Sequence, residues 1–209
     1  QSRLRQVWRL LVTVDVRRLK AGGIMLALDH VCELPTAFAP CEFRIKLAET
    51  DWELEQARKL RRAVFCIEQG VFVGNDSDAL DNMAHPLVAV SCVGGMPDQV
   101  VGTVRIHTAG DDLWWGSRLA VHVAFRQSGH IGSSLIRLAV STAHARGARI
   151  FLAYVQSQNR LLFENLHWRA LKEEQRFGRP HCLMQADLSQ YPPCEDPISG
   201  IVSRARRLA

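Results

Sequence analysis

Between Leu87 and Val123 three apolar runs follow one another with only short turns between them, and then the hydrophobic period changes. Leu87–Val93 is entered through Pro86, which a strand tolerates at its start. Gly94-Gly95-Met96-Pro97-Asp98 turns the chain, Gln99–Ile106 is the second run, and Ala109-Gly110-Asp111-Asp112 turns it again into Leu113–Val123. Consecutive strands joined so tightly predict an antiparallel meander. From Gly132 to Ala148 the apolar residues Leu135, Ile136, Leu138, Ala139, Val140 and Ala143 take helical spacing, ending in the C-cap pair Arg146-Gly147. Sheet and helix must therefore share one core.

The flanks extend the pattern. Phe43, Ile45 and Leu47 alternate with Arg44 and Lys46, the period of a half-buried first strand. Thr50-Asp51-Trp52-Glu53 is a capping box, and Trp52, Leu54, Ala57, Leu60, Val64 and Ile67 mark one face of a helix of about fifteen residues. Gly70–Ala84 is polar and acidic, a long loop or broken helix. Downstream, Ile150–Val155 reads as a buried strand, Asn159–Leu166 as a short helix, and strands follow around Trp168–Glu174 and His181–Leu188. The order predicts an α/β (α+β) protein with a mixed, mostly antiparallel central sheet and helices on both faces.

Charge and cysteine usage narrow the function class. The net charge is +5, and residues 1–24 carry Arg3, Arg5, Arg9, Arg17, Arg18 and Lys20 against Asp15 alone, so the body from 25 onward is neutral. A nucleic-acid patch on the body is not expected. The sequence opens on Gln1, with Met25 a plausible start, so 1–24 is taken as a basic extension outside the fold, 25–192 as one domain, and 193–209 as a tail or linker. No apolar run reaches the ~20 residues of a membrane helix. The six cysteines form no Cys-x-x-Cys pair and no zinc-spaced cluster, so neither a metal nor a disulfide framework is expected, and a reducing cytoplasm fits.

The stretch Arg118-Leu119-Ala120-Val121 through Phe125-Arg126-Gln127-Ser128-Gly129-His130-Ile131-Gly132-Ser133-Ser134-Leu135 takes a strand through small residues into a helix. Amide N–H groups at such a helix start are unpaired and lie at the positive end of its dipole, where paired phosphates bind. The stretch resembles motif A of the GNAT superfamily of N-acyltransferases, the Gln/Arg-x-x-Gly-x-Gly/Ala loop. Gln127 takes the leading position, Ile131 and Gly132 fit, and His130 replaces the first Gly. Two further stretches match. Tyr154–Asn159 with Phe163, Leu166 and Trp168 is similar to the superfamily's fifth strand and fourth helix. Arg62-x-x-Phe65-Cys66-Ile67-Glu68-Gln69, followed by Asp78, Asp81 and His85, resembles the bacterial "nitrogen starvation" N-acetyltransferase group.

The resemblance implies a GNAT-like fold over about residues 42–192 and, without any metal, acetyl-CoA as co-substrate. It would be held by Leu119, Ala120, Val121, Gln127, Ser128, Gly129, His130, Ile131, Gly132 and Ser133, with Asn159 and Phe163 along its arm. It also implies direct attack by a small-molecule primary amine, with Val121 N–H facing the oxyanion. Glu68 is the first candidate base, with His122 and then His107 behind it. No acid is assigned, since Phe163 stands where a tyrosine would help. The acidic loop Asp76, Asp78 and Asp81 could receive a cationic amine or only cap and solvate, and Trp114 or Trp115 could line an acceptor pocket. Two other readings stay open: a CoA-binding sensor of the same fold, and a relative of acyl-homoserine-lactone synthases. A homodimer is left open, and no nucleic-acid or membrane partner is expected.

Overall fold

A computed structural model of the protein describes residues 40–128 and 130–205, so the basic extension 1–24 and Gly129 lie outside the described residues. Strands β1 (Glu42–Leu47), β2 (His85–Val93), β3 (Met96–Thr108), β4 (Leu113–Val121), β5 (Ile150–Gln156), β6 (Trp168–Arg176), β7 (Arg179–Ala186) and β8 (Ile201–Arg204) form one sheet. Their order is β6-β7-β5-β4-β3-β2-β1-β8. β2, β3 and β4 pair antiparallel as the expected meander. Within the described residues β4 and β5 make the one parallel pair, as a helical crossover between them requires. The mixed, mostly antiparallel sheet with helices on both faces is the architecture the sequence predicts.

Helix α1 (Asp51–Arg61) starts at the anticipated box: Thr50 Oγ1 accepts from Glu53 N–H, and Glu53 returns a carboxylate oxygen to Thr50 N–H. It runs on into a π-helical turn over Arg62–Glu68. The wider turn rotates the buried stripe. Ile67 is left 69% exposed, and Val64 and Phe65 go inward beside Ala57, Leu60 and Arg61. The apolar ones, Ala57, Leu60, Val64 and Phe65, pack on Val88, Val90, Val100 and Ala120, one face of the sheet. On the other face α2 (Ile131–Ala145) buries Leu135, Ile136, Leu138 and Ala139 against Ile45, Leu87, Val101 and Ile106. Each such fully buried aliphatic contributes about 1.5–3 kcal/mol. A short helix, α3 (Arg160–Glu164), follows β5.

The stretch expected as a tail behaves otherwise. Ile201–Arg204 pairs antiparallel with β1 as an edge strand, and Leu47 N–H donates to Pro197 O at 2.7 Å. Gly200, at φ +63°, makes the join, because a Cβ there would stand 2.0 Å from Ile45 O. Ile201 and Val202 are 41% and 53% exposed, so the strand carries no alternation to betray it. Among the described residues no helix is long and apolar enough to cross a membrane.

Candidate active site

β4 and β5 pair only over Leu113–Gly116 and Ile150–Ala153, then part. The cause lies in β4. Between Thr103↔Ala120 and Arg105↔Ser117 it carries one residue more than β3, and Arg118 in that bulge adopts φ 55°. A bulge bends its strand and raises the local twist, which turns the end of β4 away from β5.

The left-handed Arg118 is strained by about 1–2 kcal/mol and is held by ion pairs. Its Nε lies 2.9 Å from Asp76 Oδ2 and its Nη2 3.1 Å from Asp78 Oδ2, with the guanidinium 4.5 Å over the Phe72 ring. Arg61 Nε reaches Asp76 Oδ2 at 2.7 Å and its Nη1 reaches Asp81 Oδ1 at 2.6 Å. Arg105 Nη1 reaches Asp78 at 2.6 Å and Asp81 at 2.8 Å. Three carboxylates are thus matched by three guanidiniums. Burial alone would raise the Asp81 pKa, but hydrogen bonds from Arg61, the Asp78 backbone and Arg105 hold it far below the usual carboxylate range. The hydrogen bond from Arg105 likewise lowers Asp78. The acidic loop therefore neither solvates freely nor offers an open carboxylate to an amine. It clamps the bulge. The arginine that enters this network is Arg61; Arg62 of the quoted signature bonds only the exposed Gly74 O, at 3.0 Å.

The parting strands open a cavity of about 610 Å³, within the range of small-molecule sites. It runs from Ile136 and Ala139 on the α2 face, through the gap, to Phe72 and Arg118 on the α1 face. Leu119, Asn159 and Phe163 line it, as does Trp115, whose ring stacks on Tyr154 at 5.4 Å. Trp114 points to the opposite face and is buried in the core, as strand alternation demands. Ala120 is also buried, against the α1 layer.

Two sets of backbone donors lie at the end of β4 and at the start of α2, next to lining residues Leu119 and Ile136 in the chain rather than on the cavity wall itself. His122 N–H donates to Val101 O at 2.8 Å, so the ladder's alternation turns the peptide groups of neighbouring Val121 away from β3 and toward the gap. Arg126 Nε takes Val121 O at 3.1 Å. At the start of α2, His130 sits at φ 51°, ψ 33° and its side chain makes no cap bond. Among the described residues the first bond of the helix is Ser134 N–H to His130 O at 2.9 Å, and the N–H groups of Ile131, Gly132 and Ser133 have no described acceptor, as a helix start leaves them. Histidine thus takes the left-handed geometry that glycine would have supplied. Gln127 is exposed and Ser128 half-buried beside this turn, and Gly129 is outside the described residues. The first-turn amides of a 15-residue helix, at its positive end and without a side-chain cap from His130, suit a diphosphate, so the described residues fit the phosphate part of CoA.

The first-choice bases lie elsewhere. Glu68 is 2.6 Å from Arg126 Nη2, half-exposed and off the cavity wall, and that hydrogen bond lowers its pKa. His122 Nδ1 accepts Ala124 N–H at 3.3 Å and caps a short 3-10 turn outside the cavity. The imidazoles on the cavity wall are His107 and His181. His107 faces Trp115 in register, where β4 and β5 are still joined, and its Nδ1 has no partner. Burial and then the Arg105 charge lower its pKa. His181 pairs in register with Gln156, at the open end of β5, and its Nδ1 is 2.9 Å from Arg179 O. A carbonyl can only accept, so in the neutral ring Nδ1 carries the proton and Nε2 the lone pair. Sequence reading passed over His181, which stands there only as the first residue of the last expected strand, after Arg179 and Pro180. Of the two tyrosines, Tyr191 is buried with its hydroxyl bonded to Leu166 O and Trp168, which leaves Tyr154 on the cavity wall. Among the described residues no cluster of His, Cys, Asp or Glu is placed to hold a metal.

The sequence model of the acetyltransferase (GNAT) family matches residues 46–167. Among solved structures, a candidate N-acetyltransferase from Lactobacillus plantarum superposes with a TM-score of 0.61 at 21% identity, covering 69% of this chain and 97% of that one. Escherichia coli ElaA gives 0.58 at 18% identity, over 70% and 99%. An aminoglycoside 6'-N-acetyltransferase solved with coenzyme A gives 0.54 at 14%, over 68% and 94%. No curated protein matches the sequence.

Proposed function

Because the chain belongs to the acetyltransferase (GNAT) family, we propose that it moves the acetyl group of acetyl-CoA to the primary amine of a small molecule by direct attack. The observation that carries this reading is the gap between β4 and β5 set beside the uncapped start of α2. Ile131, Gly132 and Ser133 N–H would hold the diphosphate, while Leu119, Asn159 and Phe163 would flank the arm. Bound acetyl-CoA supplies an activated thioester carbonyl. Val121 N–H is the donor we assign to its oxygen, where a fixed amide dipole stabilises developing charge. His181 Nε2 is the proton acceptor we assign in place of Glu68 and His122, since it stands on the cavity wall with its tautomer fixed by Arg179 O. No side chain is assigned as acid. On the Arg62–Gln69 signature we place the chain nearest the "nitrogen starvation" group, in a bacterial cytoplasm. An aminoglycoside, the class named for one structural neighbour, suits this cavity poorly, because Asp78, the single acidic lining residue among the described residues, is already matched.

Isothermal titration with CoA and thiol-release assays across an amine panel test the proposal together. Binding followed by release of free CoA is expected. No CoA binding at millimolar concentration overturns it, and tight binding with no release on any amine favours a sensor.

A further inference from the structure

The hairpin between β6 and β7 turns on Phe177-Gly178, with φ of 51° and 69°. Two central residues at positive φ make the mirror-image tight turn, whose first position suits Asn, Asp or Gly. A phenylalanine there is an outlier, and such strain clusters where a ligand is gripped. The conformation throws the Phe177 ring onto the cavity wall, 5.0 Å from Phe72 on the loop that follows α1. The same cavity is lined by Tyr154, roofed by the Arg176 guanidinium at 3.8 Å, and by Trp115 stacked on it. Phe177 is nevertheless 55% exposed, so its ring is at the rim rather than in the core. Asp78 is the only carboxylate on the described cavity wall, and it is held by Arg105 and Arg118.

We infer that Phe72 and Phe177 form an aromatic clamp at the acceptor end of the cavity that selects primary amines carried on a flat, apolar body over polycationic or small polar ones. This rests on the acetyltransferase reading. The two rings meet edge on at 62°, so a planar substituent lies along the continuous apolar wall they form rather than between them, and edge or offset ring contacts add to the area buried. An extended polyamine would instead meet Arg118, Arg105 and Arg176 with no free carboxylate in return.

The test uses the full chain with acetyl-CoA and three acceptors: 2-phenylethylamine, ethanolamine and spermidine. The wild type is expected to favour 2-phenylethylamine by at least about tenfold in kcat/KM, the scale on which an apolar pocket discriminates. Phe177→Asn keeps a residue suited to the turn, and it should remove most of that preference while leaving the KM for acetyl-CoA within about twofold. Phe72→Leu, away from the turn, should do the same. Calorimetric titration of 2-phenylethylamine into the CoA complex reads the clamp without turnover. Equal use of the three amines, or 2-phenylethylamine binding that Phe177→Asn leaves unchanged, overturns the clamp while sparing the acetyltransferase. Clamp-dependent binding with thiol release on no amine overturns the acetyltransferase instead.

Discussion

Arg105 holds both carboxylate oxygens of Asp78, Nη1 to Oδ1 at 2.6 Å and Nη2 to Oδ2 at 3.0 Å. A strand in the sheet is thereby fastened to the loop that closes the site, and Arg61 and Arg118 complete the fastening. Asp78 and Asp81 have folded pKa values below the ordinary 3.8, so the stability they lend is fully present above that value and is lost as pH falls through the folded values. Thermal melts should be insensitive to these groups down to about pH 5 and should fall steeply below about pH 4. Asp81→Asn should flatten that acid limb.

Removing one partner of the buried pair is the harsher change. Arg61 and Asp76 side chains are 7% and 4% exposed. Arg61→Met leaves Asp76 short of its closest cation and should cost about 3–5 kcal/mol in urea unfolding. Arg61→Met with Asp76→Asn should recover part of that loss, because no uncompensated charge stays buried. A double variant less stable than the single would contradict this account.

These ion pairs also explain what sequence could and could not show. The meander, the capping box and the small-residue turn into α2 were legible because their causes are local: alternation, a Thr and Glu three residues apart, and missing side-chain bulk. The bulge at Arg118 was not, since an extra residue on β4 shows only against the register of β3. Nor was the use of Asp76, Asp78 and Asp81, whose partners lie on α1, β3 and β4. Glu68 looked free because Arg126, its neutraliser, is remote in sequence. Edge strand β8 escaped because its two apolar residues face solvent.

His181 and Glu68 can be told apart by kinetics. His181→Ala should lower kcat by roughly 100-fold or more, with the KM for acetyl-CoA little changed, as expected for a lost proton acceptor. Imidazole added to the buffer should restore part of the rate. Glu68→Gln should change kcat less than about threefold, because an exposed ion pair is worth only about 0–1 kcal/mol. A full loss with Glu68→Gln and none with His181→Ala would return the base to the helix end.

Gly200 separates stability from activity. A Cβ there would lie 2.0 Å from Ile45 O and 2.9 Å from Lys46 Cα, both backbone, and φ is +63° besides. Gly200→Ala should peel β8 from β1 and lower the melting temperature by roughly 4–8 °C, the effect of about 2 kcal/mol in a chain of this size. β8 lies at the edge beyond β1, β2 and β3 from the gap, so kcat should stay within about twofold. Hydrogen exchange should rise in Glu42–Leu47 first, where β8 is lost as a partner.

The left-handed His130 decides whether the first amides of α2 point outward together. Glycine adopts φ 51° without strain, so His130→Gly should bind CoA within about twofold of the parent. A β-branched residue is forced out of that region at about 1–2 kcal/mol. His130→Val should therefore either lose helix start and binding together or hold the turn at a cost in stability. We expect a CoA Kd raised about tenfold by calorimetry, since 1.4 kcal/mol is tenfold in affinity. The KM for the amine should not move, because His130 is away from the acceptor end of the cavity. Equal CoA affinity in the glycine, histidine and valine forms would mean that the phosphates do not sit on this turn.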